Sequence, residues 1–482
     1  MKWLSIFKIA LPYLICVFFF ASYSTLSIIR HNHYESYGFD LGITDQIVWE
    51  YSNFKPPLTT IHYFPYTSIL TDHVEFIFAP LSMFYWIWDD PRMLLLLQAG
   101  FLCFSGIPIY LLAKEKKLTT ILCYTILVSY LMFYGIQNAL WFDVHSAVFG
   151  TGFLAWFLYF LDRRKYKMAG VFFLLTILCK ENLALLTASL SFVYFLRRRN
   201  LTDGIFFLLS CLYLFAIFGI YFPHFTKRGY EYQSTYGLLG NIDLTHFFNT
   251  SNKQEVFLIS LGSFGFLPLL SPLLLLPFLG DLFSYFVVAN QLKEADGIFM
   301  HYRVTLAPLM AWSTILTIAR YTSFNKYYTA IYLLLCLIIF QYTFHLPLSY
   351  LSKNWFWHEQ PAVKNINAVI HYLPSDASVV SQNNITPHIS HRNEIFTLWP
   401  EKKKFEKNSP CNQKKCNWLM WKSTTPRYLI VDTSPNWDIR HFLDDRNEYI
   451  DALKNLEKAG YIKKNKQIGN AVLYTILKTN NQ

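Results

Sequence analysis

Residues 9–29 form an unbroken apolar stretch of about the 20 residues that a helix needs to cross the hydrocarbon core of a bilayer. Ten further apolar segments follow, at 92–113, 118–136, 142–161, 167–179, 182–196, 202–222, 255–271, 273–290, 303–320 and 326–346, and two of them are short. The expected fold is therefore mainly α, a polytopic transmembrane helical bundle of about eleven spans. Composition agrees, since 53% of residues are hydrophobic and only 15% charged, a balance that a soluble domain rarely shows. Lys2 and Lys8 ahead of the first stretch would also suit a secretory signal, but 9–29 is longer than the usual apolar core of one.

Positive charge orients the bundle. Lys114, Lys116 and Lys117, then Arg163, Arg164, Lys165 and Lys167, then Arg197, Arg198 and Arg199, and finally Arg320 with Lys326 lie in short loops on the side of the N-terminus. Basic loops stay in the cytoplasm. Residues 30–91, 221–254, 291–302 and the tail from about 349 are then expected outside, and the chain in a cell (inner) membrane. The net charge of +11 does not call for nucleic acid, because insertion topology already accounts for much of the basic excess.

From 349 onward the apolar runs shorten. Strand-like segments at 377–380, 394–398 and 428–431 alternate with a helical stretch at 444–459, so a small α/β extracytoplasmic domain (349–482) is expected after a transmembrane domain (1–348). Six of the eight cysteines lie in apolar spans and suit packing, whereas Cys411 and Cys416 share a short polar loop and are expected to pair as a disulfide outside the cytoplasm. No fixed-period repeat is evident, and the charged patch 401–407 reads as a solvated loop.

Charged groups beside lipid are costly and mark candidate sites. The segment Phe39-Asp40-Leu41-Gly42-Ile43-Thr44-Asp45-Gln46 puts two carboxylates shortly after the first span, where Asp40 could act as a base or cap a helix beginning near Leu41. Lys180-Glu181-Asn182 interrupts an apolar stretch and falls at the outer turn of a helical hairpin. Lys180 could there meet an anionic head group or pair locally with Glu181. Asp143 could cap the fourth span, and His145 could bind substrate or simply pack. Asp72, His73 and Glu75 precede an apolar segment, 76–88, that is too short to span and resembles an interfacial or re-entrant helix. These three could bind a divalent cation, and no cofactor is otherwise implied. His301-Tyr302-Arg303 opens the tenth span, where Arg303 could fork a phosphate or snorkel to lipid head groups. No P-loop, serine-hydrolase elbow, HExxH or dinucleotide-binding glycine pattern is present.

In this order the Asp40 to Gln46 segment, Asp143-x-His145, Lys180-Glu181, His301-Tyr302 and Pro387-His388-Ile389-Ser390-His391-Arg392 resemble the domain-of-unknown-function 2079 family of predicted membrane proteins, over most of the chain. That family is placed with the GT-C glycosyltransferases, which take a sugar from a polyprenyl-phosphate donor and use an acidic residue in the first extracytoplasmic loop. The resemblance implies a GT-C-like bundle with Asp40 in that role and Asp45 as its rival. One departure is that relatives read Asp-Phe-His-Pro-Glu where this chain reads Asp143-Val144-His145-Ser146-Ala147, so the acidic residue of that motif is missing.

The chemistry is compatible, since glycosyl transfer off a lipid phosphate needs a base for the acceptor hydroxyl and cations for the departing phosphate. The expected assignments are Asp40 or Asp45 as base, and Lys180, Glu181, His301, Tyr302 and Arg303 about the donor phosphate. Asp72, His73, Asp143 and His145 are expected about the substrate. The partners would be a polyprenyl-phosphate lipid and an envelope glycan, lipid or protein acceptor. Alternatives are a lipid-linked sugar transporter or flippase, or an envelope-assembly scaffold. Transport predicts charges spread through the membrane depth and an internal repeat, whereas the charges here gather on one side. For topology, a reporter that is active only outside the cytoplasm, fused after Gln482, is expected to be active. Activity there of a reporter that works only in the cytoplasm would overturn the orientation.

Overall fold

The computed structural model describes residues 2–61, 67–226, 244–288, 293–321, 324–398, 426–443 and 445–477. The chain falls into two compact units. One comprises Met1–Ser27, Leu70–Pro80 and Leu95–Lys353, and the other Ile28–Ile69, Leu81–Leu94 and Asn354–Gln482.

The first unit is helical. Five helices of the chain are long and apolar enough to cross a membrane, judged by length and composition: Ile9–Asn32, Arg92–Glu115, Thr120–Trp141, Leu201–Phe225 and Lys326–Thr343. They fall on five of the expected spans. Others fall on shorter apolar helices at Ser146–Asp162, Tyr166–Ile177, Pro272–Val287 and Leu306–Arg320. The stretches near 182–196 and 255–271 correspond to Leu183–Arg198 and Ser251–Gly262. Leu201–Phe225 leaves Leu208, Leu212 and Phe215 exposed, an apolar face of the kind that lipid covers. Polar groups inside the unit find partners within it. Tyr23 donates its hydroxyl to the Leu131 carbonyl at 2.6 Å, and the buried Gln137 amide donates to Gln341 Oε1 at 2.7 Å.

The single interfacial helix expected at 76–88 is not formed. The segment is a short helix, Phe78–Leu81, followed by a 3₁₀ stretch, Ser82–Trp86. Pro80 lacks the N–H that a continuous helix would use, which keeps the turns short.

The second unit contains a small sheet. Besides a two-residue pair, β1 (Leu58–Thr59) with β2 (Thr67–Ser68), it has five strands in the order β4-β3-β5-β7-β6. β3 (Val379–Ser381) runs parallel to β4 (Ile395–Thr397) and to β5 (Tyr428–Asp432). β6 (Ile462–Ile468) and β7 (Ala471–Ile476) form an antiparallel hairpin that pairs through β7 with β5. The parallel strands β3 and β4 are buried throughout, as apolar strands covered on both faces must be. β6 carries the exposed Lys463 and Lys464, a charge pattern that protects a sheet edge from further pairing. Helix Pro361–Ile370 buries Ala362, Val363, Ile366 and Val369, the stripe expected of an amphipathic helix on a core.

The segment bearing Asp40 belongs to this second unit. The Gly38 N–H donates to the Asn383 carbonyl at 2.7 Å and to Asn383 Oδ1 at 2.9 Å, just beyond the end of β3. A Cβ on Gly38 would lie 2.8 Å from Thr397 Oγ1 and 2.9 Å from Thr386 Cβ, so only glycine permits so close an approach. The Cys411 and Cys416 pair lies outside the described residues.

Candidate functional site

In the first unit the charged residues converge on the break between helices Tyr166–Ile177 and Leu183–Arg198. Glu181, buried there, accepts from His73 Nδ1 at 2.8 Å and from the Val74 N–H at 3.1 Å. The local Lys180–Glu181 pair expected from sequence is replaced by this long-range one. Burial would raise the Glu181 carboxyl, but His73 and Lys180 outweigh it and hold the group down at about 2. Burial and Lys180 would lower His73, yet the carboxylates of Glu181 and Asp72 raise it. Half-buried Lys180 forms no ion pair among the described residues.

Glu75, also buried, accepts from Ser146 Oγ at 2.5 Å. Its carboxyl is raised by burial, with Lys180, His73 and the Ser146 hydrogen bond acting against that rise. Glu75 therefore has its own partner, and Asp72, His73 and Glu75 do not come together as ligands. Among the described residues no group of three or more His, Cys, Asp or Glu is arranged to hold a metal ion.

The Asp143 to His145 stretch is held by Gln98, which accepts from the His145 N–H at 2.9 Å and donates to the Asp143 carbonyl at 3.4 Å. Asp143, one candidate cap of this span, lies two residues before the helix's cap position. Helix Ser146–Asp162 takes His145 at its cap position, without a side-chain capping bond. His145 instead stacks on His301, with ring centroids 3.4 Å apart, and Tyr302 lies 4.3 Å from His301 on the same chain segment. Burial lowers His301 well below the usual histidine range, reinforced by nearby His145, Lys180, His73 and Arg303.

Arg303 is fully buried, which removes the snorkelling alternative. It donates to the carbonyls of Ala295 and Gly297 and lies over the rings of Tyr285 and Phe286 at 4.9 and 4.8 Å. Its Nη1 and the Nδ1 of His301 are buried with no hydrogen-bond partner among the described residues. The unit thus brings Lys180, Arg303 and three histidines into one electrostatic neighbourhood, with Glu181 engaged by His73. The carboxylates of Asp72, Glu75 and Asp281 lie among the same groups, so the unpartnered N–H donors, and not a net positive charge, are what suit an anion.

In the second unit Asp40 and Asp45 have different surroundings. Asp40 lies within the π-helical turn Gly38–Gly42, whose cap position is Tyr37, and this turn leads into helix Ile43–Ser52. Asp40 is thus inside the first turn and not the cap of a helix starting near Leu41. It is half-buried, whereas Asp45 is fully buried. Asp45 accepts from the hydroxyls of Tyr85 and Ser390, and His391 Nε2 lies 3.0 Å from its Oδ2. The other ring nitrogen of His391 lies 3.1 Å from Asp89 Oδ1. Burial opposes a charge on His391, but Asp45 and Asp89 outweigh it and raise its pKa. Trp49 stacks on the same imidazole at 5.8 Å.

Nothing in the sequence marks Tyr85 as a partner of Asp45, or Asp89 as a partner of His391. No local spacing connects position 45 with positions 85, 89 and 391. The Ser390-His391 motif was visible, but its target was not.

A mainly helical chain with several helices long and apolar enough to cross a membrane, and a small C-terminal sheet, has the character of a membrane protein. The chain belongs to the domain-of-unknown-function 2079 family, described as predicted membrane proteins, whose model matches residues 30–467. None of the curated proteins matches it.

The His73–Glu181 pair gives a pH window. His73, raised in the folded state, contributes stability that is full below its unfolded value of 6.5 and fades as pH rises through the folded value. Glu181, lowered, contributes above its unfolded value of 4.5 and loses that contribution as pH falls toward about 2. Thermal unfolding of the detergent-solubilised protein should therefore show the pair's contribution greatest between those unfolded values. Glu181→Gln should cost about 3–5 kcal/mol there, as expected for a buried pair that loses one partner. A pH profile identical in wild type and Glu181→Gln would contradict the pairing.

Proposed function

We propose that this protein is a membrane glycosyltransferase of GT-C type that moves a sugar from a polyprenyl-phosphate donor to an envelope acceptor at the outer face of the membrane. The observation that carries the reading is the gathering of Lys180, Arg303, His73, His145 and His301 in one neighbourhood of the helical unit. A lipid phosphate is the anion that a membrane-embedded bundle would meet there.

In this reaction the acceptor oxygen forms a new bond to the anomeric carbon. The bond from that carbon to the phosphate oxygen breaks, and the phosphate leaves with the electron pair. Lys180 and Arg303 neutralise the charge that develops on the departing phosphate. Neutral His301 donates a hydrogen bond to the donor, and Tyr302 and His145 pack about the sugar. Asp40 takes the proton of the acceptor hydroxyl. Asp45, five residues on and bound to Tyr85, Ser390 and His391, is the rival for the base. Glu181, with Asp72 and His73, orients the phosphate-binding side chains, and Asp143 lies beside the substrate on the stretch that Gln98 holds with His145.

The finer architecture belongs to the same proposal. It comprises eleven spans in a GT-C-like arrangement, a cytoplasmic N-terminus and an extracytoplasmic domain at 349–482.

The test is Asp40→Asn in the full-length protein, followed by sugar transfer from a polyprenyl-phosphate donor, by donor binding and by protein level. We expect transfer to fall by about 10²-fold or more, the usual contribution of general-base catalysis, with donor binding and level retained. Near-normal transfer would remove Asp40 from the reaction.

A further inference from the structure

The carboxyl ends of the parallel strands in the second unit carry polar groups that the proposed transfer does not use. β3 pairs in parallel with β4 on one side and β5 on the other, so the chain winds first one way and then the other from β3. Loops that follow adjacent parallel strands diverge at such a reversal, and open α/β sheets take ligands in the crevice beyond those strand ends.

Gln382 follows β3, Asp432 ends β5, and both are fully buried. They are joined at 2.9 Å by the Asp432 N–H, which donates to Gln382 Oε1. One oxygen of Asp432, Oδ1, accepts from the Trp437 indole at 2.7 Å and from the Ser434 N–H at 2.9 Å. The remaining polar atoms have no such partners. Gln382 Nε2, Asp432 Oδ2 and both the oxygen and the nitrogen of the fully buried Asn384 side chain lack a hydrogen bond among the described residues. Buried polar atoms are nearly always paired in a folded protein, because leaving one unpaired costs stability. Four of them, on three side chains, gather at one strand-end locus.

We propose that this strand-end locus binds the hydroxyl groups of a sugar. The unpaired set is one carboxylate acceptor, one amide donor, and one amide that both donates and accepts. Neighbouring hydroxyls complement it. Each O–H donates to Asp432 Oδ2 or Asn384 Oδ1, while each hydroxyl oxygen accepts from Gln382 Nε2 or Asn384 Nδ2. An anion would meet the Asp432 charge, and an apolar ligand would leave all four atoms unpaired. Asn383, between the two amides, is also the residue that holds Gly38 beside Asp40. The bound sugar is therefore the acceptor's, a statement that rests on the transferase reading, whereas binding itself can be measured without it.

The full-length protein in detergent is titrated with free glucose, galactose, mannose and N-acetylglucosamine at millimolar concentration. Binding is followed by saturation-transfer NMR and by hydrogen–deuterium exchange. We expect at least one saccharide to bind and to slow exchange at 379–386 and 428–437. Asn384→Leu and Asn384→Ala should each weaken that binding about tenfold, the value of one lost hydrogen bond. Asn384→Leu should keep or raise the melting temperature, because the replaced amide has no hydrogen bond in the protein to lose. Asp432→Asn, which retains an acceptor for Trp437, should also weaken binding. Failure of every saccharide to bind, binding unaffected in both Asn384 variants, or unfolding by both would overturn the proposal. Saccharide binding by a protein that transfers no sugar would sink the transferase reading alone, and transfer without saccharide binding would sink the strand-end locus alone.

Discussion

Taking a charge out of water and into an apolar bundle is costly unless it is paired, and the helical unit is organised around that constraint. Glu181 is tolerated because His73 and the Val74 N–H meet it, and Glu75 because Ser146 does. Arg303 is tolerated because backbone carbonyls and two aromatic rings surround it. The Glu181 and Glu75 contacts join segments distant in sequence, whereas Arg303 closes a local turn. The break at residues 180–182, the stretch before Ser146 and the turn before Leu306 are thereby fixed about one neighbourhood. Lys180 remains there without an ion pair of its own among the described residues, and the anion site proposed for the neighbourhood is built on it.

The second unit solves a different problem. A short apolar sheet must carry a loop bearing Asp40 without leaving its backbone groups unpaired. Asn383 meets the Gly38 and Phe39 N–H groups, and the absence of a side chain at Gly38 lets the turn approach Thr386 and Thr397. Asp45, five residues on, is tied to Tyr85, Ser390 and His391, which anchors helix Ile43–Ser52 within the unit. The same unit therefore holds one carboxylate fully buried and another half-buried.

The membrane character was legible because apolar runs of spanning length need no knowledge of tertiary structure. The positions of the longest helices, the break at Lys180 and the strands at 379–381, 395–397 and 428–432 were read for the same reason, since each is a local pattern. The β6–β7 hairpin was missed because Lys463, Lys464 and Lys466 mask its alternation, although Gly469 at φ +57 marks the turn. The continuous helix expected at 76–88 fails at Pro80, which lacks the N–H that such a helix would use. Partners were harder than elements. That Glu181 answers His73 and not Lys180, or that His391 answers Asp45 and Asp89, depends on pairings across more than a hundred residues or through the sheet, which no periodicity encodes.

The most direct measurement is equilibrium binding of a polyprenyl phosphate, and of the matching uncharged polyprenol, to the detergent-solubilised full-length protein and to Lys180→Gln. We expect the wild type to prefer the phosphate. The substitution should reduce that preference by about 2 kcal/mol or more, roughly thirtyfold, with polyprenol binding unchanged. Equal binding of the two lipids by the wild type, or a preference undiminished in Lys180→Gln, would contradict an anion site built on this residue.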